Sequence, residues 1–374
     1  MENTPDITVI VPTYNTGKFL DQCLSTIEQN DQATLEIIAV NDGSTDDSLS
    51  IMRAHEQRDP RVRVIDKPNG GYGSGCNRGL DEARGTYVAI AEPDDYMRPH
   101  FYDTMLDYAR SFPELPDIVK TPYTRVTMPC TPQERLYHCA YFNRINPPAQ
   151  PFTLKDQPRL FQHHPSIWSA MYRRQFLEDN GIRFMEARGG GWVDNPFLAE
   201  TLNLARSIVF LNKEFYCYRE DLPGSSSMLK STDLAFTRWN DMTDILDRLH
   251  VTDHGIRMAH AVRGIAYLSG IMVEASIANS PAEQRMREMF ARMDPADVLE
   301  NKNIANNTKK LYCTVRGIEP VFDKGLYRRA LVEEFGYAWR NNGLPFALSR
   351  VMVFFQRRSK INAHNPTITH SAGI

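Results

Sequence analysis

Thr86-Tyr87-Val88-Ala89-Ile90-Ala91-Glu92-Pro93-Asp94-Asp95 sets an apolar run directly before an acidic one. A short, almost uninterrupted apolar run predicts a strand buried on both faces, as in a parallel sheet. The acidic residues then fall at its carboxyl end. Working back, Gly71–Arg84 has helical spacing and is stopped by Gly85, the residue type favoured just past a helix. Before it, Arg61–Ile65 alternates polar and apolar residues. Leu35–Val40 is another apolar run, followed by the turn Asn41-Asp42-Gly43-Ser44 and by a helix carrying Leu49, Ile51 and Met52. Gly17–Gln29 places apolar residues at 19, 20, 23, 24 and 27, and Ile7–Val11 opens the series and ends at Pro12.

The order is βαβαβαβ, which implies a Rossmann-like, mostly parallel sheet with helices on both faces. Such sheets bind ligands beyond the carboxyl ends of their strands. Those ends carry Pro12-Thr13-Tyr14-Asn15, Asn41-Asp42-Gly43-Ser44 and Glu92-Pro93-Asp94-Asp95. Three polar motifs are therefore expected on one edge. Glu92 and Asp94 are hard oxygen donors with one residue between them, a spacing that suits a divalent cation beside a phosphate.

Downstream the texture changes. Residues 122–158 are rich in proline and polar residues and read as an irregular insertion. Ser166–Tyr172, a helix from Arg173 to Asn180 closed by Gly181, a helix near Asn195–Asn203, and strand-like runs at Ser207–Leu211 and Glu214–Tyr218 complete a first domain, 1–228. From 229 to 358 only helical patterns appear: Phe236–Leu249, Ile256–Ala278, Pro281–Met293, Lys324–Arg340 and Pro345–Gln356. Residues 359–374 are polar and are expected to be a disordered tail.

Composition narrows the function. The chain has 374 residues, 42% apolar and 24% charged, with net charge −3. That balance argues against a dedicated nucleic-acid binder. Six cysteines are scattered without a C-x-x-C pair, so buried free thiols in a reducing compartment are expected rather than a zinc site. Met1–Asp6 is short and polar, without the pattern of a signal peptide, and no run of about 18 apolar residues occurs. A cytoplasmic location follows as an expectation. Gly71-Tyr72-Gly73-Ser74-Gly75 has cysteine where a dinucleotide loop needs its third glycine and follows the wrong strand. No P-loop motif is present.

Taken in order, Pro12-Thr13-Tyr14-Asn15, Val40-Asn41-Asp42-Gly43-Ser44-Thr45-Asp46, Asn69-Gly70-Gly71, Asn77-Arg78-Gly79-Leu80, Ala83-Arg84-Gly85-Thr86-Tyr87 and Glu92-Pro93-Asp94-Asp95 closely resemble glycosyltransferase family 2, inverting enzymes of the GT-A fold. The match covers roughly residues 6–110 and continues more weakly to about 227. The resemblance implies that Pro12 and Tyr14 border the nucleotide base, that Asp42 accepts a hydrogen bond from it (typically uracil), and that Asn77 lies near the diphosphate. It implies Asp94 as metal ligand, for Mn²⁺ or Mg²⁺, and Glu92 at the ribose or the metal. Glu92 stands where the family more often has aspartate, and Cys76 where it usually has arginine.

Gly189-Gly190-Gly191-Trp192-Val193-Asp194-Asn195-Pro196-Phe197 resembles the family's Glu-Asp-x-x-Phe motif, with Val193 in place of the glutamate. Asp194 is then the expected catalytic base. Ser166-Ile167-Trp168, Tyr172-Arg173-Arg174 and Phe176-Leu177 resemble the acceptor-side segment of bacterial surface-polysaccharide transferases. So does Tyr216-Cys217-Tyr218-Arg219 followed by Gly224-Ser225-Ser226-Ser227, with Arg219 a candidate diphosphate clamp.

The implied activity is transfer from a nucleotide sugar, typically a UDP-sugar, to a saccharide or lipid-linked saccharide in cell-surface polysaccharide or lipopolysaccharide synthesis. A nucleotidyltransferase is disfavoured, because a glycine- and arginine-rich loop with lysine is missing after the first strand. A non-catalytic relative is disfavoured by intact Asp42, Asp94 and Asp194. Pro345–Arg358 sets Phe346, Leu348, Val351, Met352, Phe354 and Phe355 among Arg350, Arg357 and Arg358. A packing helix with a solvated basic end is the simpler reading, and peripheral contact with the inner face of a membrane is the alternative.

Overall fold

The computed structural model describes residues 4–188, 191–220, 222 and 232–366. Gly189, Gly190 and Gly224–Ser227 of the motifs above lie outside the described residues. Chain contacts divide the protein into two compact units, Met1–Met228 and Leu229–Ile374.

In the N-terminal unit the chain runs β1 (Ile7–Thr13), α1 (Gly17–Glu28), β2 (Leu35–Asp42), α2 (Ser48–Arg58), β3 (Val62–Lys67), α3 (Tyr72–Glu82), β4 (Tyr87–Ile90), β5 (Tyr96–Met97) and α4 (Phe101–Arg110). It continues through β6 (Ile118–Lys120), β7 (Tyr123–Thr127), β8 (Arg135–His138), α5 (Arg159–Gln162), β9 (Ala170–Arg173), α6 (Arg174–Asp179), α7 (Asp194–Leu204), β10 (Ile208–Phe210) and β11 (Tyr216–Arg219).

Seven strands form the main sheet in the order β10-β6-β9-β4-β1-β2-β3. All neighbours are parallel except β9, which runs antiparallel to both β4 and β6. Every residue of β1 and β2 is buried, as expected of central strands covered on both faces. α1 buries Leu20, Cys23, Leu24 and Ile27, the one-face spacing seen in its sequence. β2 and β3 lie on one side of β1 and β4 on the other, so the chain reverses direction at β1. Right-handed crossovers then send helices to opposite faces and leave a crevice at the carboxyl ends of β1 and β4.

The segment read as an irregular insertion is partly regular. β7 and β8 join β5 and β11 in a second, four-stranded sheet of order β5-β11-β7-β8. These strands are only two to five residues long; β11 falls within the strand-like run at Glu214–Tyr218, while β5, β7 and β8 are too short for local periodicity to show them.

The C-terminal unit is helical: α8 (Thr232–Arg248), α9 (His254–Glu274), α10 (Pro281–Arg292), α11 (Pro295–Leu299), α12 (Asn306–Arg316), α13 (Lys324–Asn342) and α14 (Leu344–His364). Two expectations change here. The tail expected from Ser359 is helical to His364. Behind it Asn365 is buried, donating to the carbonyls of Met272 and Ala275 and accepting from Ile277 N. The helix expected to pack at Pro345–Arg358 does pack, against α9 and α13, yet it fully buries only Ala347. No helix among the described residues is long and apolar enough to cross a membrane. All six cysteines are free thiols, and all but Cys130 are buried.

Candidate active site

The carboxyl edge of the main sheet is organised by hydrogen bonds between its loops. Asn15, with φ 53°, accepts from Thr45 N at 2.7 Å and donates its own N–H to Ser44 Oγ at 3.1 Å, tying the β1 loop to the β2 loop. Pro12 is buried at the end of β1, whereas Tyr14 is 51% exposed and presents its ring at the rim.

Asp42 ends β2 with a buried side chain. Its Oδ1 accepts from Gly70 N at 2.9 Å and from Lys67 Nζ, and its Oδ2 accepts from Gly71 N at 2.8 Å. Lys67, opposite Asp42 in the β2–β3 register, is a site residue that the sequence reading missed. A lysine at a strand end has no distinguishing pattern; only pairing reveals it.

Glu92 and Asp94 follow β4 on a tight turn in which Asp95 N donates to Glu92 O at 3.2 Å. Glu92 Oε1 accepts from Tyr72 OH at 2.5 Å, and Glu92 N donates to Tyr216 OH at 3.0 Å. Burial, then the charges of Asp94 and Asp194, push the Glu92 carboxyl up to about 8. Burial raises Asp94 as well. Asp95 lies ahead of α4, which starts at Phe101 after His100. It is buried and accepts from Arg219 N at 2.7 Å, and burial holds its carboxyl well above the usual range.

Two expected phosphate contacts are engaged elsewhere. Arg219 is 5% exposed, with its guanidinium between the rings of Phe19 (4.8 Å) and Tyr96 (4.7 Å). It donates to Asp94 O at 2.5 Å and to Gln22. The arginine therefore braces the acidic turn, and clamping a diphosphate would require its release. Asn77 donates to Phe184 O at 2.9 Å and accepts from Phe184 N at 2.9 Å. Its amide is spent on a neighbouring segment rather than held ready for a ligand.

That segment accounts for the position of Asp194. Residues 184–185 run against α3, where a Cβ on Gly73 would fall 2.2 Å from Met185 O. The Phe184 ring stacks on Phe197 of α7 at 4.0 Å and 6°. Phe197 lies one helical turn after Asp194, the first residue of α7, where a carboxylate also favours the helix dipole. Through this chain of contacts Asp194 comes close enough to Glu92, Tyr72 and Cys76 for its charge to raise the pKa of all three. Asp194 Oδ1 accepts from Asn195 Nδ2 at 3.1 Å.

The expected acceptor-side segment is also tied to the acidic turn. Trp168 stacks on Tyr216 at 4.1 Å and on Tyr218 at 5.1 Å, and Tyr216 is the phenol that accepts from Glu92 N.

A second acidic group, Asp31, His100 and Asp103, brings potential ligand atoms within 4.8 Å. It lies away from these loops, where the start of α4 meets the segment before β2. Asp103 already accepts the backbone N–H groups of Asp31, Gln32 and Ala33, and so serves as a loop clasp.

A mostly parallel sheet whose switch-point crevice carries an acidic turn defines the GT-A class of nucleotide-sugar-dependent folds. The structure of Staphylococcus aureus TarS 1-349, solved in complex with UDP-GlcNAc, superposes with a TM-score of 0.66 at 19% identity, covering 90% of this chain and 92% of that one. Residues 8–181, just under half of the chain, match the model of glycosyl transferase family 2, which identifies the N-terminal unit as a domain of that family. The uncharacterised glycosyltransferase EpsJ of Bacillus subtilis is 28% identical over 232 residues, 58% of this chain and 62% of EpsJ. Glycosyltransferase GlyG of Streptococcus pneumoniae is 41% identical over 100 residues, 26% of this chain and 33% of GlyG. The chain thus spans less than two thirds of these curated relatives.

Proposed function

We propose that the protein is an inverting, metal-dependent hexosyltransferase that moves a sugar from a nucleotide-sugar donor, a UDP-sugar in the first instance, to a saccharide or lipid-linked saccharide acceptor in cell-surface polysaccharide synthesis. The observation that carries the reading is the chain of contacts that holds Asp194 at the head of α7, Phe197 stacked on Phe184 and residues 184–185 against α3, beside the crevice that holds the acidic turn. Inversion needs a carboxylate on the acceptor side and a charge-stabilised leaving group on the other.

In this reading Asp194 takes the proton of the acceptor hydroxyl as its oxygen bonds to the anomeric carbon. The bond from that carbon to the diphosphate breaks, and its electron pair leaves with the diphosphate. Pro12 and Tyr14 border the base, and Asp42, braced by Lys67, faces it with its remaining acceptor capacity. Asp94, with Glu92 beside it, would hold Mn²⁺ or Mg²⁺. The donor set fits, being hard carboxylate oxygens in surroundings that penalise their charge until a cation offsets it. When bound, the ion supplies charge neutralisation at the departing diphosphate. A lipid-linked acceptor would set the reaction at the inner face of a membrane.

Asp194→Asn tests the assignment. Donor binding, read by calorimetry with UDP-GlcNAc and other UDP-sugars in the presence of Mn²⁺, should be retained. Turnover of the donor should fall by about 10²–10⁴-fold, the usual share of a general base. Near-normal turnover would put the base elsewhere.

A further inference from the structure

The helices of the C-terminal unit are unequally covered. α9 and α14 are both 21 residues long; α9 buries residues from Ile256 to Val273, whereas α14 buries Ala347 alone. Yet α14 is not a polar helix. Leu344, Leu348, Val351, Met352 and Phe355 are 42%, 50%, 38%, 61% and 61% exposed. Leu344, Leu348, Val351 and Phe355 succeed one another at intervals of four, three and four, and so fall on one helical face with Met352 beside them. α13 packs beside α14 across the Gly343 turn and ends near Trp339, which is 54% exposed. Single exposed apolar residues need no explanation, but a continuous stripe signals a surface that meets something.

The charges on the same helix select the partner. α14 carries Arg350, Arg357, Arg358 and Lys360 and no carboxylate side chain. Arg357, Arg358 and Lys360 enter no ion pair among the described residues, and all three are exposed. A second copy of α14 laid on this face would set cations against cations, which opposes self-pairing. An anionic bilayer surface satisfies both features at once. The apolar stripe would sink to the level of the first acyl carbons while the arginines fork onto lipid phosphates. We propose that α14, flanked by Trp339, is an in-plane docking face for an anionic membrane.

The proposal stands apart from the transfer reading, since it is measured without substrate. The full chain is sedimented with vesicles of phosphatidylglycerol and phosphatidylcholine in equal parts, and with phosphatidylcholine alone. Binding is expected on the anionic vesicles, weakening as salt is raised. Arg357→Gln with Arg358→Gln should lower the partition coefficient roughly thirtyfold, from about a factor of five per cation. Met352→Asp with Phe355→Asp should lower it at least as far. All four positions are exposed, so an unchanged circular dichroism spectrum and melting temperature should accompany both variants. No binding to anionic vesicles, equal binding to neutral ones, or full retention in the Gln pair would overturn the proposal. So would a self-associated species, seen by sedimentation velocity and abolished by the Asp pair, in a protein that ignores vesicles; a second copy would then be the occupant. Capture by polyglutamate without vesicle binding would point to an acidic polypeptide and equally overturn it.

Discussion

Buried ionisable groups decide how this site is held, and Lys120 shows the physics most simply. It ends β6, is 2% exposed, and donates to Ser166 O at 2.9 Å, Ser166 Oγ at 3.1 Å and Ser169 Oγ at 3.2 Å. None of these partners is a carboxylate, and burial lowers its pKa to about 7. The unfolded chain keeps this proton up to the ordinary lysine value of 10.5, while the folded chain releases it from about 7. Between those limits the unfolded state binds more protons, so stability rises with pH across that window. Lys120→Met should flatten that rise, worth on the order of a few kcal/mol. Denaturant melts of both proteins at pH 7 and at pH 9 check this; an equal rise in the two would locate the titration elsewhere. Arg219 and Asp42 are held by hydrogen-bonding partners instead. Each is buried and hydrogen-bonded, and each therefore braces a loop as well as adjoining the crevice.

At the scale of elements, α3 is the part on which the site depends. It packs on β1 through Gly75 and Gly79, which face Pro12 and Ile10, while Gly73 faces the segment of Phe184 and Met185. A Cβ at Gly79 would meet Ile10 Cγ2 at 2.3 Å, and one at Gly73 would meet Met185 O at 2.2 Å. The first clash is with a side chain of the core. The second is with the backbone of the segment that holds Phe184, and through Phe197 holds α7. Gly73→Ala and Gly79→Ala should each cost about 1–3 kcal/mol in overpacking. Gly73→Ala should in addition lower turnover at least tenfold, because it displaces the support of Asp194. Comparing turnover with denaturant midpoints separates the two; equal turnover in both variants would detach α7 from the α3 contact. The family-like Arg84-Gly85 pair has a different job. Arg84 N and Gly85 N donate to Thr8 Oγ1, and Arg84 binds the buried carboxylate of Glu36. Thr8 and Glu36 lie near the starts of β1 and β2, so this motif stitches the amino edge of the sheet and does not belong to the crevice.

For the molecule as a whole, ligand linkage is the most informative measurement. A ligand that binds only the folded chain raises its apparent stability, by about 2.7 kcal/mol at a hundredfold excess over Kd. UDP-sugars with Mn²⁺ should raise the melting temperature, and less so without the ion. Asp94→Ala should remove the metal-dependent part of the shift. A shift indifferent to metal in the parent protein would withdraw the ion from the site.

The sheet of β1 to β4 and the three motifs at its carboxyl edge were legible in the sequence, because each buried strand is an apolar run and each motif follows its own strand directly. The helical character of residues 232–358 was legible for the same reason of local periodicity, whereas the last turn of α14, to His364, was not. Tertiary structure alone decided what depends on partners distant in sequence: the pairing of β5 and β7 with β11, the pairing of Lys67 with Asp42, and the burial of Asp95 and Arg219. It also decided the surface of α14, where apolar residues that a sequence reading assigns to packing are left exposed. Above all it decided where α7, with Asp194 at its head, sits relative to α3. Local pattern reports which face of an element is apolar; which charges come to share a crevice is set by long-range packing, here Phe184 on Phe197 across the glycines of α3.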